Sequence, residues 1–162
     1  MVSHEEVALT RYASSTSVSS AKSRMEIEET LARYGAGSFI YGSEPTRAAV
    51  GFTMKGRQVR FVLPMPDKDA REFTHTPAKR QKRSPSQALA AWEQATRQRW
   101  RALALVVKAK LEAVESGITE FEDEFMAHIV LPDGKTVGER MKPQIAEAYE
   151  TGNMPPLLGY GG

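Results

Sequence analysis

Between Trp92 and Val114 the side chains Trp92, Thr96, Trp100, Leu103, Val107, Leu111 and Val114 recur at steps of 4, 4, 3, 4, 4 and 3. Only an α-helix returns such a series to one face, so the spacing predicts a long helix that opens near a capping Ser86 and runs to Gly117. The stripe must be buried, and its partner has to come from elsewhere in the chain. The second face, Ala95, Ala102, Leu105, Val106 and Ala109, is also largely apolar, which predicts a helix packed between layers. Basic residues edge it, with Arg97, Arg101 and Lys108 on one flank and Arg99 and Lys110 on the other.

The partner is written upstream. Thr46 to Met54 and Arg57 to Pro64 are two alternating runs around a Lys55-Gly56 break, the pattern of a tight hairpin. Pairing Met54 with Arg57 sets Phe52 against Val59 and Val50 against Phe61, four large apolar groups on one face. Gly51 with Arg60, Thr53 with Gln58 and Ala49 with Val62 occupy the other. A shorter strand is expected at Gly37 to Gly42, before a Ser43-Glu44-Pro45 turn. Ahead of it, Ser23 with Glu26 forms a capping-box pattern for a short helix carrying Met25, Ile27 and Leu31 to Tyr34.

After the long helix, Thr119 with Glu122 and Thr136 with Glu139 repeat the capping-box pattern. They predict a helix at 120–128, a turn at Pro132-Asp133-Gly134, and a closing helical region at 137–151 interrupted or restarted at Pro143. The fold class is therefore α+β: a short N-terminal helix, a three-stranded antiparallel sheet, a long central helix and a helical C-terminal region. Residues 1–22, rich in Ser and Thr, are expected to form a disordered tail. Residues 23–152 make a single domain with a mobile basic loop at 67–85, and residues 153–162 a Pro/Gly-rich C-terminal tail.

Composition excludes several chemistries. The 162 residues include no Cys, which removes disulfides, thiol catalysis and Cys-ligated zinc and fits a reducing compartment. No apolar run approaches the about 18 residues of a membrane span, and no signal-peptide core stands at the N-terminus, so the expected setting is the cytoplasm. Neither GxGxxG nor a Walker A run occurs, and His75 lacks a nucleophile motif beside it. A metal-dependent nuclease would carry carboxylates on the central hairpin, yet residues 46–64 contain no Asp or Glu. Glu124 and His128 stand four apart and could grip a metal, but acidic residues in a first helical turn are favoured by the helix dipole alone. No cofactor is expected, and no catalytic residue is assigned.

Charge is the positive signal. The formal net charge is only +2, but residues 55–110 hold 14 basic against 4 acidic side chains, while residues 111–162 hold 3 against 10. Such a basic middle matches a phosphate backbone, with Lys79, Arg80, Lys82, Arg83, Arg97, Arg101 and Lys108, together with Arg57 and Arg60, as the expected contacts. The competing reading is that the acidic C-terminal third folds back and neutralises it. Trp92 and Trp100 can stack bases, although their place in the stripe assigns them to the core.

Three blocks, Leu31 to Gly35 leading into Ser38 to Gly42, Trp100 to Val114, and Phe121 to Phe125 running to Leu131-Pro-Asp-Gly134, resemble a family of small uncharacterised proteins encoded in phage and prophage genomes. The resemblance covers roughly residues 23–158 and implies a mobile-element setting without implying an activity or any site residue. Together with the charge pattern it leads to the expectation of a phage-type, non-enzymatic nucleic-acid-binding accessory protein, acting on single-stranded DNA in recombination or replication. The first alternative is a protein-interaction module, such as an inhibitor of a host factor, using the acidic third and the second face of the long helix, and the second, ranked below it, is a metal-dependent nuclease.

Overall fold

A computed structural model of the chain describes residues 20–156. Residues 20–33 form helix α1, which buries Ile27 and Leu31. Ser23 therefore lies inside this helix instead of capping it, and the expected disordered tail is corrected at residues 20–22; the rest of that segment lies outside the described residues. The helix ends where Gly35 takes a φ of +89° and the Ala36 amide donates back to the Leu31 carbonyl at 3.0 Å. That left-handed turn satisfies an orphan carbonyl and favours glycine.

Three strands follow, β1 (Gly37–Glu44), β2 (Arg47–Met54) and β3 (Arg57–Pro64), in an antiparallel sheet of order β1-β2-β3. β1 extends two residues beyond its expected end, because Ser43 and Glu44 pair with Ala48 and Arg47 and the turn is confined to Pro45 and Thr46. The hairpin register is the one the alternation predicts, with Met54 on Arg57, Phe52 on Val59 and Val50 on Phe61. Lys55 and Gly56 both have positive φ, 49° and 73°, the backbone that matches the twist of a two-residue hairpin. One face buries Ala48, Val50, Phe52, Met54, Val59 and Phe61, while Ile40 and Val62 on the other are exposed.

Residues 67–85, expected as a mobile loop, carry defined structure. A short helix α2 (Arg71–Thr74) is followed by a loop closed by the His75–Lys82 bridge, the Thr76 amide bonding to Gln81 O at 2.8 Å and the Arg83 amide to Thr74 O at 2.7 Å. The long helix α3 (Pro85–Glu115) starts earlier than Ser86: Ser84 caps it, accepting from the Gln87 amide while the Gln87 side chain returns to the Ser84 amide, with Pro85 in the first turn. Its stripe lands on the sheet, burying Thr96, Trp100, Leu103, Val107 and Leu111. Among the described residues no layer covers the second face, where Leu105 and Val106 are 63% and 45% exposed.

The chain then returns through α4 (Phe121–Phe125) and a single 3-10 turn (Met126–His128). No side chain caps α4, so the Thr119–Glu122 box is not formed; Glu120 occupies the cap position. Phe125 is fully buried and meets Phe52 and Phe61 edge-on at 6.1 and 6.2 Å. Ile129 bridges Val59, fastening the C-terminal region to the β3 edge. The Thr136–Glu139 capping box is present and opens α5 (Val137–Thr151), which continues unbroken through Pro143. Pro143 and Glu139 are both exposed, so water can take the carbonyl that proline leaves without a donor. Among the described residues no helix is long and apolar enough to cross a membrane.

Candidate nucleic-acid interface

The basic side chains of the middle segment divide into two sets. Those facing the acidic third are paired across long stretches of sequence: Arg57 with Glu122 at 2.9 Å, Arg60 with Glu139 at 3.3 Å, and Lys110 with Glu124 at 3.0 Å. Arg60 also donates to the Gly134 carbonyl at 2.9 Å, and Lys110 to the Glu124 carbonyl at 3.1 Å. These contacts tie β3 and α3 to α4 and α5. The neutralising reading of the charge pattern thus holds for this part of the surface, and Arg57 and Arg60 serve as clasps. Glu124 is engaged by Lys110, and His128 stacks on Phe61 at 4.0 Å, so the two residues considered as metal ligands are occupied by packing. No cluster of three or more metal-ligating side chains occurs among the described residues.

The second set surrounds the N-terminal half of α3. Among the described residues Lys79, Arg80, Lys82, Arg97 and Arg101 have no carboxylate within ion-pair distance, nor do Lys22, Lys68 and Arg71. Lys108 reaches Glu112 only at 4.0 Å, with both side chains more than half exposed, a pair of little energetic weight. Arg83 differs from its neighbours: its guanidinium donates to the Glu72 and Phe73 carbonyls at 3.1 and 3.0 Å, locking the end of α2 against the loop. Its position in the sequence run gave no hint of this, because its acceptors are backbone groups 10 and 11 residues away.

Three depressions lie side by side across this half of α3. At its start, a groove of about 410 Å³ is bordered by Lys68, Asp69, Lys82, Arg83 and Leu89. Next to it and sharing Lys68 is a cleft of about 730 Å³, walled by Tyr41, Trp92 and Trp100 and rimmed by Ser43, Glu44, Thr46 and Asp67. The third, about 410 Å³, runs between α1 and α3 and is lined by Lys22, Glu26, Arg97 and Arg101. The two tryptophans have different roles here. Trp100 is 2% exposed and lies 5.5 Å from Tyr41, as the stripe predicts, whereas Trp92 is only half-buried and is oriented by an Nε1 hydrogen bond to the Pro66 carbonyl at 2.8 Å. Arg24 covers Tyr41 at 4.1 Å, and the Lys68 ammonium stands 5.9 Å above the Trp92 ring.

Chemically the surface offers cations unpaired among the described residues on two sides of an aromatic cleft, with Glu26 in the α1–α3 groove, Glu44 and Asp67 on the cleft rim and Asp69 in the groove of Lys68 and Lys82. No protein-family model, curated protein or solved structure matches the chain.

Proposed function

We propose that the protein binds single-stranded nucleic acid through the N-terminal half of α3 and the loop before it, as a non-enzymatic accessory factor of phage-type recombination or replication. The observation that carries this reading is the division of the cations. Arg57, Arg60 and Lys110 are paired with carboxylates of the acidic third, whereas no described carboxylate comes within ion-pair distance of Lys79, Arg80, Lys82, Arg97 or Arg101. Eight cations without an ion pair among the described residues, on one part of the molecule, repel one another, a cost that a phosphate backbone relieves by taking their counterions' place. Aromatic walls between the basic flanks favour single strands, whose unstacked bases can reach them. Phosphate contacts position a strand without reading it, so binding should be tolerant of sequence. The test is fluorescence anisotropy of labelled single-stranded DNA, duplex DNA and RNA of equal length at low salt. The single strands are expected to bind, with affinity falling steeply as salt rises; absence of any binding at low salt overturns the proposal.

A second reading rests on a different observation, the exposed apolar face of α3 at Leu105 and Val106. Flanked by Arg101 and Lys108, it fits an acidic, apolar-faced protein segment better than a second copy of itself, since two copies would bring like charges together. Failure of every oligonucleotide at low salt makes this interaction surface the better account.

A further inference from the structure

We infer that the cleft walled by Tyr41, Trp92 and Trp100 is a nucleobase site, one that takes an amino-bearing base with its phosphate held outside. The inference rests on the nucleic-acid reading for its place along a strand, but the site is defined by its own chemistry. A cleft of about 730 Å³ is larger than a nucleoside and lies in the range of small-ligand sites. Of its two tryptophans Trp92 is the more open, half-buried and held in orientation by the Nε1 bond to Pro66 O, so a flat ligand meets a surface that is already fixed.

The rim decides what kind of ligand enters. Glu44 and Asp67 are acceptors, and the hydroxyls of Ser43 and Thr46 can accept as well. One Asp67 oxygen is committed to the Asp69 amide at 3.0 Å, and Glu44 shares an exposed contact with Arg47, which leaves acceptor capacity on both. Carboxylates at the mouth repel a phosphate, so an anionic group cannot be what fills the cleft. A cation is disfavoured for a separate reason: the Tyr41 face already carries Arg24 at 4.1 Å, and Lys68 lies over Trp92. What remains is a neutral, planar group that donates hydrogen bonds, which describes the exocyclic amines of adenine, cytosine and guanine, whereas thymine offers only its N3–H. Lys68 completes the arrangement. It belongs both to this cleft and to the neighbouring groove of Lys82 and Arg83, so when a base displaces its ammonium from Trp92 the charge has a phosphate to move to.

Both tryptophans of the chain line the cleft, so tryptophan fluorescence reports its occupancy directly. The experiment titrates dAMP, dCMP, dGMP, dTMP and deoxyribose 5-phosphate into the full chain, exciting beyond base absorption, alongside the oligonucleotide anisotropy. Saturable quenching by dAMP, dCMP and dGMP, several-fold weaker for dTMP and absent for the sugar phosphate, is the expected result. Trp92→Leu should weaken dAMP by about tenfold or more, the loss of one base–aromatic stack, while Trp92→Phe retains most of the binding. Because Trp92 also anchors Pro66, Thr46→Arg provides an independent variant: Thr46 is exposed in the β1–β2 turn, and an arginine there reaches over the rim and should block the cleft without touching the core. Oligonucleotide binding with no saturable quenching by any mononucleotide overturns the base site and leaves the phosphate surface standing. Saturable mononucleotide binding without oligonucleotide binding does the reverse. Quenching that Trp92→Leu and Thr46→Arg both leave intact places the nucleotide elsewhere and overturns the inference.

Discussion

Two sets of substitutions separate the cations that hold the fold from those available to a ligand. In the first, Lys79, Arg80, Lys82, Arg97 and Arg101 are replaced by Ala; in the second, Arg57, Arg60 and Lys110 by Gln. For single strands, each phosphate neutralised contributes about −0.7 to the slope of log K against log salt, so the first variant should bind with a slope flatter by about 3 to 4 units. Its thermal melt should be unchanged, because none of the five makes an ion pair among the described residues. The second variant should show the opposite pattern. Its slope should stay within about 0.5 of the parent, since those side chains face Glu122, Glu139 and Glu124. It should lose about 1–3 kcal/mol of stability, because exposed pairs contribute about 0–1 kcal/mol each and the charge-assisted bonds of Arg60 and Lys110 to backbone carbonyls add to that. Arg83→Ala should follow the second pattern despite lying in the basic run, through its two carbonyl contacts at the end of α2. The assay is anisotropy of a mixed-sequence single strand over a salt series, with melts on the same samples. Equal flattening by both sets would mean that the ion pairs open on binding, and the division of the surface would be refuted.

Three further outcomes test the fold itself. Trp100→Ala, at a position 2% exposed between the sheet and α3, should cost about 3–5 kcal/mol in urea unfolding, and a fully stable variant would show that the side chain is not core. At Gly138 a Cβ would stand 2.9 Å from the Ala127 carbonyl oxygen, so Gly138→Ala should destabilise by about 1–3 kcal/mol despite the about 0.5–1 kcal/mol that alanine gains in a helix; a stabilised variant would mean that α5 can shift freely. His128 is held below its ordinary value of 6.5 by burial and then by the charge of Lys110, partly opposed by a hydrogen bond to the Arg60 backbone, with Lys142 adding a smaller lowering effect. Its neutral form is the folded one, so stability should be full above the unfolded value of 6.5 and decline as pH falls from there toward the lower folded value; His128→Gln should flatten that decline in melts between about pH 7.5 and 5.5. An unchanged slope would refute the assignment to His128. Asp133, held low by the Lys135 amide and the Arg140 guanidinium, acts in the same sense only below its ordinary 3.8, outside that window.

Local sequence determined the elements whose information is local. The hairpin register follows from period-two alternation around Lys55-Gly56, since a slip of one residue would expose Val50, Phe52, Val59 and Phe61 together. The stripe from Thr96 to Leu111 and the Thr136–Glu139 cap were legible for the same reason, being patterns within a few turns of chain. Caps were less secure where two candidates compete: Ser84 prevails over Ser86 because Pro85 fits the first helical position and Gln87 then closes the box. What only the tertiary structure decided is what each face meets. Periodicity shows that Leu105 and Val106 share a side of α3, but not that no described element covers them. It places Trp92 and Trp100 in one stripe, yet burial along that stripe extends only as far as Thr96, leaving Trp92 half-buried at the wall of a cleft. Charge counting showed a basic middle and an acidic end, and the partition of that charge depended on contacts between residues 14 to 79 positions apart. Pairing at such separations is fixed by where the packed core brings the elements, because an exposed ion pair is too weak to choose the fold that forms it.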